Sequence, residues 1–299
     1  MPRRVHLHIG RSKTGTSSIQ RTLRDNTAAL ATLGYCYPGA ARNHNDIVRH
    51  LAKGDVNATR GVLEEISAAP GDVIVSAEGF QDLPPEKARA WLEAFDVRVI
   101  VYLREQAAAL ASAYQQWIKG RLETRTFEQF VESRGVIDYV GFLDAWADSF
   151  GRNALTIRLY EREELVGGDA VLDFLSLLRI DPAELSIDPT DANPSIAGPL
   201  LEAKRRLNET YPGSAEELRS KTYAALQNLA RANPAYRGAF VPAMDDVLQI
   251  RARCRASNLG LARNYLGRER AFREPPAPNT NPLDENAVVE LLAALNALL

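Results

Sequence analysis

The sequence is poor in residues that build cross-links and metal centres. Its 299 residues include two cysteines, Cys36 and Cys254, and four histidines. The cysteines lie far apart and lack the spacing of metal-ligand pairs, so we predict neither a disulfide framework nor a zinc site, and no bound metal. Two reduced thiols are typical of proteins in a reducing compartment, which favours a cytoplasmic location.

Excess charge of one sign and long apolar runs are also lacking. The 36 Lys and Arg residues nearly balance the 38 Asp and Glu residues, which gives a formal net charge of −2. The surface as a whole therefore has no strong field to recruit nucleic acid or anionic lipid. No apolar run approaches the roughly 18 residues of a membrane span. We expect neither a nucleic-acid partner nor an integral membrane segment.

Strand and helix patterns alternate over the first 190 residues. Val5, Leu7 and Ile9 alternate as a strand, and three further β-branched apolar runs lie at residues 73–80, 97–104 and 154–161. Helix-like spacing separates these runs. The alternation predicts an α/β fold of three layers, with a P-loop-like parallel sheet flanked by helices.

The last third of the chain has helical patterns and no strand signals. Because 299 residues lie near the upper limit of one hydrophobic core, we predict a single domain over residues 1–299. Within it we expect an α/β core (1–190), a helical cover (191–273), a proline-rich linker (274–282) and a C-terminal helix (283–299) with Asp284 as its N-cap. The KRR run at residues 204–206 is expected to be a solvated helix face.

The C-terminal helix carries an apolar stripe, formed by Val288, Leu291, Leu292, Leu295, Leu298 and Leu299. Such a stripe is expected to dock on a neighbour rather than stay in water. The neighbour is either the protein's own domain or a second subunit, so a homo-oligomer is possible.

The segment GRSKTGTSS at residues 10–18 lies where the first strand turns into a helix. Backbone N–H groups and the positive end of the helix dipole converge at such a turn and suit a phosphate. Lys13 adds a mobile cation, and Thr14, Thr16, Ser17 and Ser18 add hydroxyl groups. The segment therefore predicts a site for a phosphorylated nucleotide. The Walker A pattern places its lysine after the second glycine, whereas Lys13 precedes Gly15.

These residues resemble the phosphosulfate-binding loop of the sulfotransferases that use 3′-phosphoadenosine 5′-phosphosulfate (PAPS), in particular the bacterial branch. In that family K-T-G-T-[ST] grips the 5′-phosphosulfate. The resemblance implies this role for the loop residues, which are Gly10, Arg11, Ser12, Lys13, Thr14, Gly15, Thr16, Ser17 and Ser18. It further implies transfer of a sulfuryl group to a hydroxyl or amine of a carbohydrate, lipid or small molecule, with PAPS as co-substrate.

A second family signature is a strand ending in arginine and followed by a serine on the next helix. Here Arg104 and Ser112 match it, with seven residues between them. The resemblance implies that both hold the 3′-phosphate. An arginine at the carboxyl end of a parallel strand can fork onto a phosphate, which agrees with this role.

Sulfuryl transfer needs a base for the proton of the acceptor hydroxyl, and Lys13 can stabilise the departing phosphate oxygen. Glu78 and His44 are the two candidates for the base, and both can belong to the site. Cytosolic family members carry a catalytic histidine at the place of Glu78, and Golgi-type members carry a catalytic glutamate near the place of His44. His6 and His8 are expected to be structural.

Two other functions stay open. One is a metal-dependent P-loop kinase or NTPase, although no G-x-x-x-x-G-K-[ST] pattern and no clear strand-terminal Asp for Mg²⁺ is found. The other is a nucleotide-binding protein without transfer activity. The acceptor cannot be derived from the fold, because acceptor pockets are built from variable loops.

Overall fold

A computed structural model describes residues 2–11, 13–135, 137–188, 195–274 and 283–299. This described part of the chain divides into two compact units. The first comprises Met1–Arg104, Asp138–Pro189 and Ser257–Phe272, and the second comprises Glu105–Ile137, Thr190–Ala256 and Arg273–Leu299. The stretch Glu105–Ile137 belongs to the second unit. The predicted single domain and its internal bounds stay a prediction.

The first unit is built on a parallel sheet, which has five strands among the described residues. The strands are β1 (Arg4–Ile9), β2 (Tyr35–Cys36), β3 (Asp72–Ala77), β4 (Asp96–Leu103) and β5 (Leu155–Leu159). Their order is β2-β3-β1-β4-β5, and every recorded strand pair is parallel. The predicted α/β fold class is confirmed, as are four predicted strands. The strand β2 was missed, because two residues leave no periodic pattern.

Helices flank this sheet in the first unit. They are α1 (Thr16–Asp25), α2 (Thr27–Thr32), α3 (Asn45–Lys53), α4 (Arg60–Ala68), α5 (Pro85–Trp91), α8 (Tyr139–Phe150) and α9 (Ala170–Leu177). Val5, Leu7 and Ile9 of β1 are fully buried, as residues of a covered central strand must be. One buried cluster joins α1 and α9 to the sheet through Ile19, Ile100 and Phe174.

The second unit is helical and has its own core. Its helices are α6 (Gln106–Gly120), α7 (Phe127–Arg134), α10 (Gly198–Thr210), α11 (Ala215–Ala232), α12 (Met244–Gly260, whose last residues belong to the first unit) and α13 (Glu285–Asn296). A π-helical segment, Leu261–Leu266, continues α12 in the first unit. Of the predicted linker, residues 275–282 lie outside the described residues.

The KRR run does not form a solvated face, so that expectation was wrong. Lys204 is 1% exposed and donates to Asn208, and burial lowers its pKa to about 8. Arg205 and Arg206 both pair with Glu202. Glu202 lies three residues before Arg205 and four residues before Arg206. At these spacings side chains on a helix are neighbours, so both guanidiniums reach the Glu202 carboxylate.

Docking of the C-terminal helix within its own unit is confirmed. Asp284 caps α13 by accepting a hydrogen bond from the Ala287 N–H at 3.1 Å, as predicted. The stripe buries Val288, Leu291 and Leu295 in the second unit's core, where α13 packs on α10. Leu298 and Leu299 stay exposed.

Within the described ranges, none of the helices combines the length and the apolar character needed to cross a lipid bilayer.

Candidate phosphate-binding site

Three of the predicted site residues directly follow neighbouring strands of the sheet. Ile9 of β1 pairs with Ala77 of β3, so Gly10 and Glu78 leave the sheet at the same level. Arg104 follows the last residue of β4, which is the strand on the other side of β1. Since the carboxyl ends of parallel strands meet at one edge, the fold brings the loop, Glu78 and Arg104 together.

The loop after β1 is held in a conformation that few residues adopt. Lys13 has a φ of +71° and Gly15 a φ of +77°. A lysine in the left-handed region is strained, and such strain is concentrated at ligand-binding and catalytic sites. A Cβ on Gly15 would lie 2.7 Å from the Cβ of Ala170, so only glycine fits there. Gly10 is equally restricted, because its Cβ would lie 2.6 Å from the Thr16 side chain.

The loop threonines fasten the loop instead of facing solvent. The buried Thr14 hydroxyl donates to the Arg11 carbonyl at 2.6 Å, and the Thr16 hydroxyl lies 3.4 Å from the same oxygen. Ser17 and Ser18 are exposed. Their hydroxyls are thus the accessible ones, whereas Thr14 and Thr16 contribute mainly backbone N–H groups. Ser12 lies outside the described residues.

Helix α1 begins at this loop with an open positive end. Its N-cap, Gly15, has no side chain to accept from the first N–H groups, and its first turn holds no acidic residue. The intrahelical bonds start at Ser18, whose N–H donates to the Gly15 carbonyl at 3.0 Å. The N–H groups of Thr16 and Ser17 precede that bond, where a helix offers them no internal partner. This geometry suits an anion.

Arginines lie on both sides of the loop. The Arg104 guanidinium donates to the Lys13 carbonyl at 3.1 Å and stacks over the Tyr160 ring, with 5.6 Å to its centroid. Arg11 lies over the rings of Tyr139 and Phe142, at 5.1 and 4.7 Å. Cation–π contacts of this kind hold the face of a guanidinium on an aromatic ring. The N–H groups point outward in the plane of the guanidinium and do not take part in this contact. The local charge at the loop is therefore positive.

The sequence did not single out the aromatic supports Tyr139, Phe142 and Tyr160. Tyr160 follows β5 just as Arg104 follows β4, and this strand-end position was a signal that could have identified it. Tyr139 and Phe142 lie on α8, a helix that the sequence reading did not identify, so their approach to Arg11 is a tertiary result.

Glu78 is half-buried and begins a 3-10 turn, Glu78–Asp82, so β3 ends three residues before the end of the predicted run at residue 80. Burial raises the pKa of the Glu78 carboxyl, and the charge of Lys13 lowers it by less. The charge of Lys13 therefore acts on the Glu78 carboxyl group. A carboxylate with a raised pKa beside a cation has the properties of a general base.

His44 is buried at 4% exposure, with both ring nitrogens bonded to the backbone. Nε2 lies 2.8 Å from the Pro38 carbonyl, and Nδ1 accepts from the Ser76 N–H at 2.9 Å. Because Nδ1 accepts a hydrogen bond, it carries no proton, and the ring proton lies on Nε2, which donates to the Pro38 carbonyl. The imidazole is therefore neutral, and its one lone pair is already used by the Ser76 N–H. Burial lowers the pKa of His44. This arrangement favours Glu78 over His44 as the base.

His6 and His8 have structural surroundings in β1. His6 Nε2 lies 3.1 Å from the Asp72 carboxylate, and the fully buried His8 Nδ1 lies 2.8 Å from the Ser76 hydroxyl. Gln20 donates to the same hydroxyl at 3.1 Å. The three side chains His8, Ser76 and Gln20 form a buried polar network under the loop.

Ser112 lies on α6 in the second unit, whereas Arg104 belongs to the first unit. A shared role of the two at one phosphate stays a prediction. Among the residues with described positions, His, Cys, Asp and Glu are nowhere gathered in a group of three or more that could hold a metal ion.

No protein-family model matches the chain. An uncharacterized protein from Archaeoglobus fulgidus is 30% identical over 203 residues, which cover 67% of this chain and 55% of that protein. The chain thus spans little more than half the length of this curated relative. Among solved structures, a sulfotransferase from Alicyclobacillus acidocaldarius is similar to this chain with a TM-score of 0.42 and 17% identity, over 63% of this chain and 88% of that one.

Proposed function

We propose that this protein is a sulfotransferase that moves a sulfuryl group from PAPS to a hydroxyl or amine. One observation carries the proposal: the strained loop at Lys13 opens onto the N-terminus of α1 beside a carboxyl group of raised pKa, Glu78. The loop supplies anion-binding N–H groups and a cation, and the carboxyl group supplies a base.

The residues fit the donor by their chemistry. The N–H groups of Thr16 and Ser17 and the hydroxyls of Ser17 and Ser18 would hold the 5′-phosphosulfate, while Arg104 would take the 3′-phosphate. A guanidinium is a planar fork of N–H donors that matches the oxygens of a phosphate. Ser112 is the second proposed 3′-phosphate ligand.

The donor, when bound, supplies a sulfuryl group already activated by its phosphate leaving group. Glu78 accepts the proton of the acceptor hydroxyl while the acceptor oxygen forms its bond to sulfur. Lys13 stabilises the negative charge that develops on the bridging oxygen as the old sulfur–oxygen bond breaks. The products are a sulfate ester, adenosine 3′,5′-bisphosphate and the proton on Glu78, so atoms and charges balance.

The proposal is tested by calorimetry with adenosine 3′,5′-bisphosphate in the presence of EDTA. We expect binding without divalent metal, because backbone N–H groups, Lys13 and Arg104 supply the positive charge that the ligand needs. Nucleotide binding that strictly depends on Mg²⁺, or a preference for ATP over the bisphosphate, would contradict the sulfotransferase proposal and favour a kinase or NTPase.

The same titration tests the 3′-phosphate ligands. Arg104→Ala should weaken the bisphosphate more than adenosine 5′-monophosphate, which lacks the 3′-phosphate. An equal loss of affinity for both nucleotides would mean that Arg104 does not contact the 3′-phosphate. It would then only hold the loop in place through its hydrogen bond to the Lys13 carbonyl.

A further inference from the structure

A cleft of about 390 Å³ opens beside Glu78 in the first unit. Helix α3 forms one wall, with Asn45, Val48 and Arg49, and the turn after β3 forms the other, with Gln81, Asp82 and Leu83. Pockets for small molecules start at roughly 300 Å³, so the cleft has room for a sugar ring or two but not for a large lipid.

The two walls are fixed to one another. Asn45 Oδ1 accepts from the Gly79 N–H at 2.9 Å, and a Cβ on Gly79 would come within 3.0 Å of Val48. Gly79 therefore allows the turn to approach α3 closely. The Asn45 NH₂ group takes no part in this bond and is a donor for a ligand.

The charges on the lining disfavour an anion. Glu78 and Asp82 are carboxylates, and Arg49 forms an ion pair with Asp46 one turn earlier on α3. Lys87 of α5 donates to the Ala52 carbonyl of α3 at 2.8 Å. An anionic group in the cleft would thus face two carboxylates, while Lys13, whose charge also acts on Glu78, is assigned to the phosphosulfate of the donor.

The lining also contains more polar groups than one hydroxyl can use. Asn45, Asp82 and Glu78 present an amide and two carboxylates around a strip made by Val48 and Leu83, which are 6% and 3% exposed. A phenol brings one hydroxyl group and can bond only one or two of these three groups. A polyol with an apolar ring face can satisfy them.

We propose that this cleft is the acceptor site and that its acceptor is an uncharged or amine-bearing polyol of sugar-ring size. The inference rests on the proposed function, because it takes Glu78 as the base. Asp82 acts as a specificity-determining residue, which favours an amine and repels an acid.

The test compares methyl glucoside, methyl glucosaminide, methyl glucuronide and 4-nitrophenol as acceptors for labelled PAPS. We expect transfer to the first two and at least about tenfold lower kcat/KM for the glucuronide, since like charges placed close together repel each other. Calorimetry of each acceptor on the bisphosphate complex supplies a readout that does not depend on turnover. The glucoside and the glucosaminide should bind more tightly than the other two.

Asp82→Lys should raise the kcat/KM for the glucuronide and lower that for the glucosaminide, with bisphosphate affinity unchanged. Asp25→Asn is the control, because Asp25 is an exposed carboxylate at the far end of α1. It should change neither specificity nor affinity.

Failure of the inference differs from failure of the function. A protein that binds the bisphosphate without metal but prefers the glucuronide or the phenol, or uses none of the four acceptors, overturns the inference alone. A protein that does not bind the bisphosphate overturns the proposed function and the inference with it. Unchanged specificity in Asp82→Lys also overturns the role of Asp82.

Discussion

Lys13 combines a charge with a backbone strain at the centre of the proposed site. Its φ of +71° lies in the left-handed region, in the loop that leads into α1. Strain of this kind costs about 1 to 3 kcal/mol and persists only where the surrounding structure enforces it. Here the Arg104 guanidinium holds the backbone at this residue by donating to the Lys13 carbonyl at 3.1 Å.

Replacing Lys13 tests its role at the residue scale. Lys13→Ala should lower sulfuryl-transfer turnover at least about a hundredfold, because removing a positioned charge stabiliser raises the barrier by roughly 3 kcal/mol. Affinity for the bisphosphate should fall less, since the backbone N–H groups remain. A variant with near wild-type turnover would show that the loop binds without assisting the reaction.

Glu78→Gln should remove most transfer and leave bisphosphate affinity nearly intact, because the amide keeps the shape but accepts no proton. His44→Ala is the paired comparison. Its bisphosphate affinity should also persist, but its stability should fall by about 1 to 3 kcal/mol, since the buried Ser76 N–H and Pro38 carbonyl lose their partner. Transfer retained in Glu78→Gln and lost in a folded His44→Ala would reverse the assignment.

Glu78→Gln should also change the stability of the folded protein. Burial raises the pKa of Glu78, so the folded protein favours the protonated carboxyl group and the ionised form is destabilising near pH 7. Glu78→Gln should therefore melt at or above the wild-type temperature at pH 7. The difference should vanish as the pH falls below the ordinary value of 4.5, where the carboxyl group is protonated in both folded and unfolded chains.

At the scale of elements, α13 is held by a few buried positions of its stripe. Leu295 is 0% exposed, whereas Leu298, in the turn directly after α13, is 45% exposed. Leu295→Ala should lower the free energy of unfolding by about 2 to 5 kcal/mol, the usual effect of a cavity at a buried leucine. Leu298→Ala is the matched control, with an expected change within about 0.5 kcal/mol.

Urea unfolding followed by circular dichroism measures both variants. Similar losses for Leu295→Ala and Leu298→Ala would mean that the exposed end of α13 is covered in solution, as in a dimer. Elution volume in size-exclusion chromatography would then show the larger species.

For the whole molecule, a buried histidine makes stability depend on pH. Burial lowers the pKa of His8 to about 3 from its ordinary value of 6.5. Below pH 6.5 the His8 imidazole binds a proton in the unfolded chain but stays neutral in the folded protein. The free energy of unfolding therefore falls as the pH falls from 6.5 towards 3. One such histidine contributes up to about 1.4 kcal/mol per pH unit.

His8→Gln removes this ionisable group and can keep a hydrogen bond to Ser76. Unfolding free energies measured in urea at pH 7 and pH 5 should differ less in this variant than in the wild type. An equal difference in both proteins would place the source of acid sensitivity elsewhere.

The sequence by itself determined the sheet and the loop. β-branched runs with helical stretches between them predict parallel strands, and the glycines and lysine after β1 predict the anion site, because both patterns depend on local spacing. Asp284 as the cap of α13 was predictable for the same reason, since a cap acts within one turn.

The tertiary structure alone decided what depends on neighbours distant in sequence. Lys204 looked solvated within KRR but is buried in the second unit, and both ring nitrogens of His44, a predicted candidate for the base, bond to the backbone of Pro38 and Ser76. Burial and hydrogen bonding are set by packing between segments far apart in the chain, and no local pattern encodes them. The division into two units has the same origin, because α6 and α7 pack with the late helices rather than with the strands on either side of them in the sequence.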